Sequence, residues 1–190
     1  MDDTLPPFDD AGLLPAGDYP LTLTQLRASY LVTGTGVVSA TWDSAWRGHL
    51  ADNLEIMATQ LWQVGIEKIF IDGSFAEAKD HPNDVDGYFE CDLKFFASGH
   101  LERALNALDP QHVWTWRLGS RRLDATSGKA QLPMWHHYRV ELYPHFNQPS
   151  GIRDEFGNQQ TFPAAFRRTR AGHQPKGIVE LLSPGSRGEV

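Results

Sequence analysis

From Ile69 to Asp92 the chain reads IFIDGSFAEAKDHPNDVDGYFECD. It holds two features with chemistry in them: the Gly73-Ser74 turn and, ten residues after Ser74, the pair Asp84 and Asp86. A Gly-Ser turn offers backbone N–H groups and a hydroxyl to phosphate oxygens. Alternation along a strand puts Asp84 and Asp86 on one face, roughly 6–7 Å apart. Carboxylates so placed can share a hard cation such as Mg²⁺ or Mn²⁺, so the spacing points to a metal and nucleotide site. Lys79, in the loop between the two features, can reach a phosphate or simply be solvated. Asp84, after Pro82-Asn83, also fits a turn acid, and Asp86 a solvated strand residue. Ser74 fits the cap of a short helix at Phe75-Ala76-Glu77, a role compatible with phosphate binding.

The elements that must position these residues follow from patterning. IEKIFID reads as a buried strand ending at Gly73-Ser74, and DVDGYFECDLKFF as a second strand. On that second strand Asp84, Asp86, Tyr88, Glu90 and Asp92 share one face. Before them, Asp43 or Ser44 caps a helix in which Trp46, Leu50, Leu54, Met57, Leu61 and Val64 recur at core-facing spacing, stopped by Gly65. LTQLRASYLV is expected to be a short helix, and Ser98 to cap another through Leu101, Leu105 and Leu108. HVWTWRL is a candidate strand, and Gly119 to Pro133 reads as loop or hairpin. MWHHYRVELYPHF is expected to be one strand with Glu141 opposite in facing to Val140 and Leu142. The order implies a mixed α/β or α+β sheet with helices mainly on one face.

At 190 residues the chain fits a single domain, residues 1–190. An irregular, Pro- and Gly-rich lead-in over residues 1–20 and a basic segment over 165–190 flank it. Net charge is −7, which argues against general nucleic-acid binding. The charge is uneven, however: Met1 to Trp116 carries 6 Lys/Arg against 18 Asp/Glu, and Arg117 to Val190 carries 11 against 6. The basic residues cluster at Arg117, Arg121 and Arg122, then at Arg167, Arg168 and Arg170, with Lys176 following. No apolar run is long enough to span a bilayer and no secretory signal is visible, so a cytoplasmic protein without membrane association is expected. Cys91 has no partner for a disulfide. His136 and His137, as neighbours on a strand, would face opposite ways and not chelate one ion. Walker A, G-x-G-x-x-G and G-x-S-x-G patterns are absent, which removes P-loop, dinucleotide-binding and common hydrolase readings.

Gly-Ser followed by Asp-x-Asp, with a third acid on a later strand, resembles the nucleotidyltransferase superfamily, whose fold DNA polymerase beta, the minimal nucleotidyltransferases and AbiEii-type toxins share. The LPPFDDAGLLPAGDY opening, the GSF…K…PNDVD centre and the RAGHQPKGIVEL ending also look like an uncharacterised bacterial and phage family filed among nucleotidyltransferase-like proteins. The resemblance implies a sheet of nucleotidyltransferase type. Gly73, Ser74 and Lys79 would then bind an NTP, and Asp84, Asp86 and Glu141 would be catalytic metal ligands. Many relatives carry Asp at the third position, and Glu90 and Asp92 compete with Glu141 for the role. The implied activity is Mg²⁺- or Mn²⁺-dependent transfer of NMP to an RNA, tRNA included, or to a protein acceptor. The implied setting is a toxin with a cognate antitoxin, or phage defence. The alternative is an inactive binding module on the same fold, a nucleotide sensor or antitoxin-like partner. Glu141 discriminates: oxygens converging with Asp84 and Asp86 favour catalysis, and a Glu141 turned away or ion-paired leaves the site incomplete.

Overall fold

A computed structural model describes residues 5–36 and 39–185. The first four residues of the acidic lead-in and the end of the basic segment, 186–190, lie outside that description. The molecule has a mixed α+β fold built on one five-stranded sheet. Its strands are β1 (Asp18–Thr22), β2 (Ile69–Asp72), β3 (Val85–Glu90), β6 (Val140–His145) and β9 (Ile178–Leu182), in the spatial order β1-β9-β2-β3-β6. Two hairpins stand outside it: β4 (Arg122–Leu123) with β5 (Ala130–Gln131), and β7 (Pro149–Arg153) with β8 (Gln159–Thr161).

The helices are α1 (Leu23–Ala28), α2 (Tyr30–Thr33), α3 (Ser44–Gln63), α4 (Leu93–Ala97), α5 (His100–Leu108), α6 (Pro133–Tyr138) and α7 (Phe162–Phe166). The expected stripe on α3 is present. Asp43 caps the helix by accepting from the Trp46 N–H at 2.9 Å, and Leu50, Leu54, Met57 and Leu61 are fully buried against one sheet face. That face is supplied by Leu21, Ile69, Ile71, Val85, Phe89, Val140, Leu142, Val179 and Leu181. The other face carries a smaller cluster, Phe70, Tyr88, Ile178 and Phe166, the last from α7. Strand alternation therefore puts Asp72, two residues after Phe70, and Asp86, two before Tyr88, on the α7 side.

Several local expectations differ from the structure: LTQLRASYLV breaks at Ser29 into α1 and α2, and Ser98 ends α4 while Gly99 precedes α5, so Ser98 is not the cap. The run from Met134 to Phe146 is not one strand: α6 begins with Pro133 at its first position, ends at Arg139 in the left-handed region (φ 55°), and only then does β6 start. Proline at a helix start and a left-handed residue at its end are what divide the run, and His136 and His137 sit on the helix. The second acidic strand stops at Glu90, because Asp92 turns to cap α4 by accepting from the Lys94 and Phe95 N–H groups. HVWTWRL forms no strand; its Trp114 is buried and donates to Gln60 at 2.6 Å. Residues 18–20 of the lead-in are already strand β1, and the basic C-terminal segment contributes β9, which lies between β1 and β2.

Candidate functional site: a row of carboxylates beside a Gly-Ser turn

Register builds the site. In the antiparallel pair β2/β3, Asp72 stands opposite Asp86; in the parallel pair β3/β6, Asp86 stands beside Glu141. Three carboxylates thus form a row across adjacent strands, each step about 5 Å. Asp84 precedes β3 by one residue and keeps the parity of Asp86. The turn closes on the row: Gly73 has φ +72°, and a Cβ there would lie 2.8 Å from Asp86 Oδ2. Glycine is needed at Gly73 twice over, for the left-handed backbone and for the close approach of the carboxylate.

The four acids are handled differently. Asp72, 4% exposed, lies with its Oδ1 2.9 Å from Lys176 Nζ, which also donates to Glu77 at 2.6 Å. Burial nevertheless pushes Asp72 up to about 6, against the pull of Lys176 and the Gly73 N–H. Glu141, 3% exposed, accepts from the Leu132 N–H at 2.6 Å through Oε1 and from the Tyr143 hydroxyl through Oε2, with Arg121 Nη1 at 3.8 Å. Asp84 accepts from Trp135 Nε1 at 2.6 Å. The Asp86 carboxylate accepts no hydrogen bond from another side chain among the described residues. Burial first, then the charges of Asp84 and Glu141, hold its carboxyl well above the usual range, and the charge of Arg170 offsets part of this.

Gly73, Ser74, Asp86, Arg168, Arg170 and Lys176 line one cleft of about 350 Å³. The basic tail therefore faces the turn. Within it the cations divide: Arg167 is committed to Asp18 and the Tyr88 hydroxyl, Lys176 to Asp72 and Glu77, and Arg168 donates to the His173 carbonyl at 3.0 Å, whereas Arg170 makes no hydrogen bond or ion pair of that kind among the described residues; Arg168 and Arg170 both line the cleft. Lys79 lies on an exposed loop and is not part of this lining. Glu90 is exposed at the far end of β3, and Asp92 is the cap of α4, so neither stands with the row.

Sequence reasoning passed over two residues of the site. Asp72 read as the polar end of a buried strand; its position directly before Gly73, and the Lys in PKGIVEL, were the available signals. Arg47, fully buried on α3, donates to the carbonyls of Leu31, Phe75, Glu77 and Lys79 and stacks on Trp42 with 3.7 Å to the ring centroid. It fixes the segment after the turn, and burial pushes its guanidinium down to about 10.

No three His, Cys, Asp or Glu side chains among the described residues form a ready-made metal cluster. The donors still suit a hard cation: Asp84 and Asp86 offer carboxylate oxygens where negative charge is crowded and, at Asp86, unmatched. Glu141 accepts one hydrogen bond on each oxygen, which orients the carboxylate and leaves a further lone pair on each. The chain belongs to the family of unknown function DUF6932, whose model matches residues 6–182. No curated protein and no solved structure matches it.

Proposed function

We propose that this protein is a Mg²⁺- or Mn²⁺-dependent nucleotidyltransferase, moving NMP from an NTP to a hydroxyl of an RNA or protein acceptor. The observation that carries the reading is Asp86. Its carboxylate is unpaired by hydrogen bonds, packed against Gly73, and opens to a cleft lined by Ser74, Arg168 and Arg170. A bound cation would neutralise the crowded acids and stabilise charge on the attacking and leaving oxygens. Asp84 and Asp86 would hold it. The Gly73-Ser74 turn and the two arginines would seat the phosphates so that the acceptor oxygen meets the α-phosphorus. As that O–P bond forms, the bond from the α-phosphorus to the bridging oxygen of the β-phosphate breaks. Pyrophosphate leaves, and the hydroxyl proton passes to water or a neighbouring carboxylate. A toxin with a cognate antitoxin, or a phage-defence component, is the setting that the sequence resemblance implies.

One observation favours the second reading, a binding module without transfer: both oxygens of Glu141 are already engaged. The test is incubation with each α-³²P-labelled NTP, Mg²⁺ or Mn²⁺, and total cell RNA and protein, beside the Asp84→Ala/Asp86→Ala variant. Label reaching an acceptor with the parent, and falling to background with the variant, supports the enzyme. NTP binding with no transfer under any condition supports the module.

A further inference from the structure

A second cavity, of about 210 Å³, lies against Trp135, whose Nε1 donates to Asp84. Its walls come from four places: the His81 to Asn83 loop just ahead of Asp84, the start of α3 at Trp46, the β4/β5 turn at Asp124 to Ser127, and the end of α6 at Trp135 and Arg139. Two flat surfaces face it. His81 stacks on Trp46 with ring centroids 5.1 Å apart and planes 12° from parallel, held by Asp43 at 2.9 Å and by the Trp46 Nε1 bond to the Pro82 carbonyl at 2.6 Å. The Arg139 guanidinium lies 3.9 Å over the Trp135 ring, its left-handed backbone carrying it there. Asn83, Thr126 and Ser127 add hydrogen-bonding groups to the lining. Trp135 is the wall shared with the acids, because its Nε1 donates to Asp84.

Aromatic rings and guanidinium planes are the surfaces on which unpaired nucleobases stack, and amide and hydroxyl groups read their edges. The β4/β5 hairpin beside the cavity carries the exposed Arg122 and Lys129, suited to a phosphate backbone. We infer that the cavity bounded by His81, Trp46, Trp135 and Arg139 seats an unpaired base of a single-stranded nucleic acid, whose end then lies next to Asp84. The inference rests on the transferase reading only for its purpose, acceptor selection; binding itself does not require transfer.

The experiment is a fluorescence anisotropy titration of the full chain into dye-labelled single-stranded RNA, single-stranded DNA and duplex RNA. It is run on the parent and on His81→Ala/Arg139→Gly, with circular dichroism as the folding check. Glycine tolerates the φ of Arg139, so the double variant removes the planes without straining the turn. Single strands are expected to bind more tightly than duplex. The His81/Arg139 variant is expected to lose about tenfold or more on single strands. RNA bound above DNA identifies RNA as the ligand; equal binding identifies any single strand. Unchanged binding by the His81/Arg139 variant, or duplex bound as tightly as single strand, overturns the inference. A planar-surface effect without any nucleotidyl transfer sinks the transferase reading and leaves the cavity's role standing. Transfer to RNA with an unchanged acceptor KM in the variant does the reverse.

Discussion

On the β2 side of Asp86 the neighbouring carboxylate, Asp72, is countered by a charge, the buried Lys176. On the β6 side the neighbour, Glu141, is satisfied by hydrogen-bond donors, a backbone N–H and a tyrosine hydroxyl, with Arg121 further off. The two flanks are equally buried and solve the same desolvation problem by different means. Asp86, between them, has neither a close cation nor a donor. The contrast teaches that the fold completes the outer members of the row and leaves the middle one uncompensated, the condition in which binding a cation stabilises the protein.

The largest test breaks the charged flank. Lys176→Met leaves Asp72 buried without its counter-ion and is expected to cost about 3–5 kcal/mol in urea unfolding at pH 8. Ionisation of Asp72 already opposes folding, since its folded value of about 6 lies above the ordinary 3.8. In the parent that cost develops as pH rises through that interval. Without Lys176 the folded value moves up, so the loss must shrink on going from pH 8 to pH 5. Adding Asp72→Asn should recover most of it, and no recovery would mean that Lys176 acts elsewhere.

A smaller effect of opposite sign comes from the middle of the row. Because its folded carboxyl titrates well above the ordinary 3.8, Asp86 costs stability progressively as pH rises from the unfolded value to that raised value, in full above it, and costs little near pH 4, at the foot of that interval. Asp86→Asn is therefore expected to stabilise by about 1–3 kcal/mol at pH 8, with the gain vanishing towards pH 4. Mg²⁺ should raise the parent's Tm and not the variant's. Thermal melts at both pH values, with and without Mg²⁺, decide it; a variant no more stable at pH 8 removes the idea of an unmet charge.

The smallest change loosens the hydrogen-bonded flank. Tyr143→Phe takes one donor from Glu141 and is expected to cost about 1 kcal/mol, with nucleotidyl transfer at least at the parental level if Glu141 is thereby freed towards Asp86. A fall in transfer at unchanged stability would instead make the engaged Glu141 the working form.

The parts of this arrangement visible in the sequence are those set by short-range rules. The α3 stripe, the glycine before Ser74, the parity of Asp84 and Asp86, and the placing of Glu141 on a strand all follow from local periodicity. The row itself depends on register between strands far apart in the chain, and no single stretch encodes it. Asp72 was hidden for that reason, as was the pairing of β1 with β9. The run around His136 misled for the opposite reason: its aromatic and branched residues suit a strand, and one left-handed residue, Arg139, decides the break.

The position of β9 also bears on how the molecule comes into being. Among the described residues β1 pairs only with β9, and β9 bridges it to β2, so residues 18–22 wait for residues 178–182 before they have an edge to join. Lys176 travels with that strand. During synthesis β1 has no strand to join and Asp72 lacks its counter-ion until almost the whole described chain has emerged, a late closure of the kind that slows folding.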